Sequence, residues 1–381
     1  MQEENLSAVA AEFSALQGCR VVFSGGGTGG HLYPLLAVAQ EWRDKYDGNV
    51  LFMGTSRGLE AKVVPAQNFR FQPVKARGLT GGVLGKIKAV LTLGVGIAQS
   101  WRILRSFRPK VVVGSGGYVC APTLMAAKLL GIPTLLMEQN ARAGKTVRLL
   151  ARFATYVCTC WPEAREGLPA EKIILTGNPI RREVVEAERE KSRAQFKLPA
   201  GRFCVFVTGG SQGAASFNRA VLKALPAWRE RDWTVMHLTG PSHIEEVQAQ
   251  AQPLVEGGKL DYRPLGYLQD MAAAYAACDV VVCRAGATTL SEVTARGLAA
   301  LVVPYPHAAE NHQMANAMSL VNNGAAELID DAQIEERLVE AVPALEADEP
   351  KRRNLAAANR AMGRPDAVND VLRAIAQAIG G

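Results

Sequence analysis

Short apolar runs alternate along the chain with longer stretches in which apolar residues return every three or four positions. Arg20-Val21-Val22-Phe23, Val50-Leu51-Phe52-Met53, Lys110 to Gly114, Pro133 to Glu138, Tyr156-Val157-Cys158 and Ile173-Ile174-Leu175 read as strands. A glycine loop follows the first of them and leads into a helix through Leu35, Ala39 and Trp42. Strands that are apolar throughout and separated by helices predict parallel sheets covered on both faces.

The pattern then restarts. Phe203 to Val207 is a strand, followed by a second glycine loop and a helix from about Ala215 to Leu225. Val235 to Leu238, Val280 to Cys283 and Ala300 to Val303 supply further strands. This predicts two doubly wound α/β domains in tandem, 1–178 and 179–365. The break falls in the turn-rich Gly177-Asn178-Pro179-Ile180-Arg181, with a charged helix from Arg182 to Lys197 after it. The last helix, within 366–381, is expected to pack back on the first domain.

A length of 381 residues suits two domains, and 48% hydrophobic with 21% charged residues excludes disorder. The seven cysteines show no ligand spacing, so no metal site is expected and buried thiols in a reducing compartment are the plain reading. Met1 to Gln17 is acidic and does not read as a secretory signal. No stretch is read as reaching the roughly 18 apolar residues of a membrane span. The chain is thus expected to be soluble or peripheral. Its net charge of +7 suits anionic partners, but no basic-aromatic module points to nucleic acid.

Candidate chemistry lies in three glycine clusters at strand ends. Ser24 to His31 satisfies G-x-G-x-x-G through Gly25, Gly27 and Gly30, and such loops let backbone N–H groups approach an anion. A dinucleotide site would also need an acidic residue ending the second strand, and that strand ends Met53-Gly54-Thr55. Thr208 to Ala214 is the counterpart in the second half and lacks the lysine of a P-loop. Gly114 to Tyr118 is the third. Three such loops over two domains suggest a cleft between them.

The ordered set Gly25 to His31, Gly116-Gly117-Tyr118, Glu138-Gln139-Asn140, Asn178 to Arg181, Gly209 to Gly213, Arg284 to Glu292, Pro304 to His307 and Asn311-His312-Gln313 resembles the MurG family. That family comprises the transferases that convert lipid I to lipid II in peptidoglycan synthesis. The resemblance runs from about residue 20 to the C-terminus. It implies a GT-B fold of two Rossmann-like domains, with the acceptor and membrane handled by the first and UDP-N-acetylglucosamine (UDP-GlcNAc) by the second. It also implies inverting transfer without a metal or other cofactor, and no Asp-x-Asp pair occurs in the chain to hold one. Helix N-termini and basic side chains would then neutralise the leaving UDP.

By the same resemblance, Thr28, Gly29, Gly30, Asn140, Arg181, Ser211, Gln212, Gly213, Leu268, Ala287, Thr288, Thr289, Glu292, His312 and Gln313 bind the donor. Glu292 would hold the ribose, Ser211 the diphosphate and the Leu268 backbone the uracil. Gly116, Gly117 and Tyr118 fall on the acceptor side. Two residues compete as general base. His31 starts a helix, whose dipole favours a neutral imidazole, and Glu138 ends a strand.

Between Gly78 and Arg108, apolar residues mix with cations. Leu79, Val83, Leu84, Lys86 and Ile87 read as an interfacial patch for the anionic inner leaflet of the cytoplasmic membrane, with an ordinary packed amphipathic helix as the alternative. The resemblance places the protein peripherally on the cytoplasmic face of that membrane, with cell-wall synthesis and division proteins as further partners. Rival readings are a GT-B enzyme with another acceptor, a non-catalytic nucleotide-sugar binder and a UDP-sugar epimerase.

Overall fold

The computed structural model describes residues 13–78 and 82–380. The chain forms two compact units, Met1–Arg181 with Pro365–Gly381, and Arg182–Arg364.

The first unit is built on β1 (Arg20–Ser24), β2 (Asn49–Gly54), β3 (Arg70–Pro73), β4 (Val111–Gly114), β5 (Thr134–Glu138), β6 (Tyr156–Thr159) and β7 (Ile173–Leu175). These strands are parallel and lie in the order β3-β2-β1-β4-β5-β6-β7. Helices α1 (Gly29–Tyr46), α2 (Glu60–Ala66), α3 (Val83–Phe107), α4 (Gly117–Leu129) and α5 (Lys145–Ala151) connect them. Val21, Phe23, Phe52 and Trp42 form the centre of one core layer, with Phe23 and Phe52 stacked 5.4 Å apart. The C-terminal helix Ala367–Gly380 adds Val371, Leu372 and Ile375 to that layer.

The second unit holds β8 (Phe203–Thr208), β9 (Trp233–Leu238), β10 (Asp261–Leu265), β11 (Val280–Cys283), β12 (Ala299–Val302) and β13 (Glu327–Leu328). They are also parallel, in the order β10-β9-β8-β11-β12-β13. Its helices are α6 (Arg182–Glu186), α7 (Arg189–Gln195), α8 (Ala215–Trp228), α9 (Ile244–Val255), α10 (Met271–Ala277), α11 (Ala287–Arg296), α12 (His312–Asn322), α13 (Ile334–Ala347) and α14 (Glu349–Met362). In each unit the strand order reverses beside the first strand, at β1/β4 and at β8/β11. Loops at such a reversal diverge beyond the strand ends and leave room for a ligand.

Three expectations need correction. The charged segment after Arg181 is two short helices, because Glu188 is extended. There the Arg296 guanidinium donates to Val184 O, Val185 O and Ala187 O and closes α6. The edge strands β3, β10 and β13 carry too few buried residues to stand out in the pattern; β10 contains Pro264, which an edge position tolerates. Finally, Leu84–Phe107 is long and apolar enough to cross a membrane by length and composition. Its buried positions Ala89, Ser100 and Leu104 instead belong to the fold of the first unit, and a Cβ at Gly96 would meet Pro122 of α4 at 3.0 Å.

Six of the seven cysteines are buried and Cys19 is half-buried. Burial pushes the thiols of Cys120, Cys158, Cys204 and Cys283 up to about 12.

Candidate active site

In the first unit, register sets the site. Ser24 pairs with Gly114, so the loops after β1 and β4 start side by side, and Ser115 N–H donates to Ser24 O at 3.2 Å. A Cβ on Gly25 would lie 2.0 Å from Ser115 Oγ, which is why glycine stands there. Gly116 and Gly117 have φ of +84° and +68°, a left-handed turn that opens α4 directly under His31. A side chain at Gly117 would sit 3.6 Å from His31 Nε2.

The loop itself is organised from inside. Glu60, on the first turn of α2, is buried and accepts the Gly27 N–H at 2.9 Å, the Thr55 N–H at 2.8 Å and the Thr55 hydroxyl at 2.6 Å. Gly26, Gly54 and Gly58 surround it closely enough that a Cβ on any of them would overlap the side chain. Sequence reasoning missed Glu60. The glycines at 54 and 58 are the one signal it left.

His31 is half-buried in the first turn of α1, and its Nδ1 lies 3.0 Å from Gln139 Oε1. Gln139 is 2% exposed, and its Nε2 donates to Met137 O at 3.1 Å. Glu138, 3% exposed, turns away into the 139–144 loop. One oxygen accepts the Asn140 backbone and side-chain N–H groups at 2.9 and 3.1 Å, the other the Gly144 N–H at 2.9 Å. Burial pushes the Glu138 carboxyl above its usual range, against the pull of those hydrogen bonds and of His31. The structure thus groups His31, Gln139, Gly116 and Gly117, with Asn140 on the neighbouring loop. Tyr118 is exposed on the first turn of α4, and Arg181 is half-buried at the end of the unit.

In the second unit, Cys283 pairs with Thr208, which sets the Gly209–Gly213 loop beside the start of α11. Ser211 and Gln212 are exposed at the loop tip. Gly213, with φ +75°, passes so near the next loop that a Cβ would meet Thr239 O at 1.9 Å. Ala287, Thr288 and Thr289 form the first turn of α11, and the Thr288 hydroxyl is buried with no partner among the described residues. Glu292, one turn on, is buried at 4% exposure. Leu268 lies half-buried between β10 and α10, next to the exposed Tyr267.

Arg284 ties these parts together. It bonds Asp331 Oδ1 at 2.6 Å and Ser216 Oγ at 2.9 Å, and donates to Val303 O and Pro304 O at 3.2 and 3.3 Å. Its guanidinium also lies over the rings of Phe217 and Tyr305. Beyond Tyr305, Gln313 Oε1 accepts the Tyr305 N–H at 2.9 Å, and His312 Nδ1 lies 2.5 Å from Ala309 O. Arg284 and Asp331 carry no role in the sequence reading, although Arg284 opens one of its motifs.

Residues 21–159 match the N-terminal domain of glycosyltransferase family 28, and residues 204–371 its C-terminal domain. The chain is 41% identical to the UDP-N-acetylglucosamine--N-acetylmuramyl-(pentapeptide) pyrophosphoryl-undecaprenol N-acetylglucosamine transferase of Desulforudis audaxviator, over 95% of this chain and 99% of that one. The chain belongs to glycosyltransferase family 28, within the MurG family.

The Listeria monocytogenes enzyme of the same name is 38% identical over 93% of this chain and 98% of its own. Among solved structures, Acinetobacter baumannii MurG superposes with a TM-score of 0.76 at 29% identity, covering 93% of this chain and 98% of that one. A UDP-GlcNAc 2-epimerase from Neisseria meningitidis reaches a TM-score of 0.65 at 15% identity, which is likeness of fold alone. As a MurG-family chain this is a UDP-sugar glycosyltransferase of GT-B fold.

On α3, Leu84 and Leu91 are 75% and 67% exposed, and Ile87, Val90, Val95, Lys86 and Lys88 are exposed with them. Leu79 and the side chain of Val83 lie outside the described residues.

Proposed function

We propose that this protein transfers N-acetylglucosamine from UDP-GlcNAc to the C4 hydroxyl of the muramyl sugar of lipid I, forming lipid II with inversion at the anomeric carbon. The full-length likeness to transferases of that name supports the substrates. The observation that carries the chemistry is His31, held by Gln139 over Gly116 and Gly117, the glycine turn read as the acceptor side.

In this reading His31 is the base. Its imidazole takes the proton of the C4 hydroxyl as that oxygen bonds to the anomeric carbon. The anomeric carbon–oxygen bond to the β-phosphate breaks, and its electron pair leaves with UDP. Glu138 is the weaker candidate, since both its oxygens already accept hydrogen bonds from the loop that it folds. Gly116, Gly117 and Tyr118 line the acceptor side, with Thr28, Gly29, Gly30, Asn140 and Arg181 around the reacting sugar. In the second unit, the hydroxyls of Ser211, Thr288 and Thr289 and the first N–H groups of α11, from Ala287 on, serve the diphosphate, with Gln212 and Gly213 shaping the loop beside them. The dipole of α11 adds to the charge stabilisation of the leaving group. Glu292 binds the ribose, the Leu268 backbone the uracil, and His312 and Gln313 the sugar hydroxyls.

The exposed apolar stripe of α3 beside Lys86 and Lys88 docks on the anionic cytoplasmic leaflet, where the lipid-linked acceptor resides. This makes the protein peripheral on that membrane, within reach of the cell-wall synthesis and division machinery.

The test is transfer of radiolabel from UDP-GlcNAc to a short-chain lipid I analogue with EDTA present. Label in a lipid-extractable disaccharide only when acceptor is added is the expected result. Release of UDP with epimerised sugar and no dependence on acceptor would move the assignment to an epimerase.

A further inference from the structure

Gln139 is a buried side chain with a fixed amide, and that amide decides which nitrogen of His31 can act. Its Nε2 points at Met137 O, an atom that only accepts, so its Oε1 is the atom turned to the imidazole. An oxygen facing Nδ1 at 3.0 Å requires Nδ1 to carry the hydrogen. The lone pair of the neutral ring is then on Nε2, the side lying over Gly117. The amide cannot turn over, because the reversed orientation would set its oxygen against Met137 O and lose that hydrogen bond. The backbone is pinned as well: Trp161 Nε1 donates to Gln139 O at 3.1 Å, and Glu138 folds the residues that follow.

We propose that Gln139 is a positioning residue that holds His31 in the Nδ1–H tautomer, leaving Nε2 as the proton acceptor for transfer. The proposal rests on His31 being the base. It also explains why an amide stands there. A carboxylate in the same place would select the same tautomer but stabilise the imidazolium, keeping the base protonated at higher pH. The charged group that bears on His31 from the packed elements is Glu138 of β5. The α4 turn contributes Gly116, Gly117 and Cys120, whose thiol is held neutral by burial. Glu138 already stands beside His31, and a neutral orienter adds no second carboxylate to it.

The experiment compares wild type with Gln139→Glu, Gln139→Leu and His31→Gln, using UDP-GlcNAc and a short-chain lipid I analogue. Thermal unfolding and calorimetric donor binding check that each variant folds. Gln139→Leu is expected to lower kcat by about 10- to 100-fold with donor KM unchanged. Gln139→Glu is expected to keep most of kcat at high pH while moving the acid limb of kcat/KM upward by about one pH unit. Nitrogen-15 spectra of histidine-labelled protein should show Nδ1–H for His31 in wild type, and a mixture of tautomers in Gln139→Leu. An acid limb unmoved in Gln139→Glu, with His31 as Nε2–H in the wild type, overturns the proposal while the base stands. If His31→Gln retains both kcat and the acid limb, the reading of His31 as base fails first, whatever Gln139 does. A variant that does not fold leaves the wild-type tautomer as the deciding measurement.

Discussion

Glu60 Oε2 accepts the Gly27 N–H at 2.9 Å, so the group that grips the first glycine loop comes from the chain itself. The sequence reading found no carboxylate at the end of β2. Folding brings one there from α2 and points it at the loop, where it bonds Thr55 as well. A ribose at that place would find the carboxylate already engaged. Glu60→Ala leaves the Gly27 and Thr55 N–H groups without their acceptor, which should cost about 1–3 kcal/mol in chemical denaturation. Glu60→Gln should resemble it, because half of an amide cannot accept. Both should lower kcat more than they raise donor KM in steady-state assays; an unchanged kcat would separate the loop's shape from catalysis.

Asp331→Asn tests the Arg284 hub. Removing one charge from this largely buried pair should destabilise the protein by about 3 kcal/mol, since Arg284 keeps its charge and loses its counter-ion. The strand-end loop leading to Tyr305 and Gln313 then loosens, and the expected kinetic signature is a raised KM for UDP-GlcNAc with acceptor KM unchanged.

Acid stability depends on His237. It is fully buried on β9, with Nδ1 2.9 Å from Tyr262 Oη of β10, and burial holds it down at about 3 from an ordinary 6.5. Between these values the unfolded chain binds a proton that the native protein refuses. Stability from this source is therefore complete above about pH 6.5 and falls as pH drops, by about 1.4 kcal/mol per unit. Denaturant midpoints measured from pH 7 to pH 4 should flatten in His237→Gln.

Leu91→Glu on α3 should lower binding to anionic vesicles by about tenfold, the loss of one buried leucine contact with an added charge repulsion. Turnover of a water-soluble short-chain acceptor should stay as in wild type. Equal binding by both proteins in a vesicle sedimentation assay would remove α3 from the membrane face.

The central strands were legible because each is a short, largely apolar run between helical stretches, as in Val111 to Gly114 or Val280 to Cys283. Of the edge strands only β7, the apolar Ile173 to Leu175, could be read; Asp261 to Leu265 carries an aspartate, an arginine and a proline and is buried only by halves. The site divided in the same way. His31, Gly116 and Glu292 sit within local motifs and could be picked out by them. Gln139 was quoted only as the middle of a motif, and the role of its amide depends on Met137, Trp161 and His31, which a linear pattern does not relate. Glu60 reaches Gly27 across 33 positions of sequence, a distance that only the pairing of β1 with β2 closes.

The hidden thiols have a practical side. With six cysteines buried and at least four of those thiols held protonated well beyond neutral pH, Cys19 is the native position open to alkylating reagents. Replacing that one residue would give a background on which a single new cysteine, placed on α3 or at the tip near Ser211, takes a fluorophore selectively. Each unit could then report its own encounter with membrane or nucleotide in real time, without the six-fold rebuilding of the interior that a cysteine-free protein would demand.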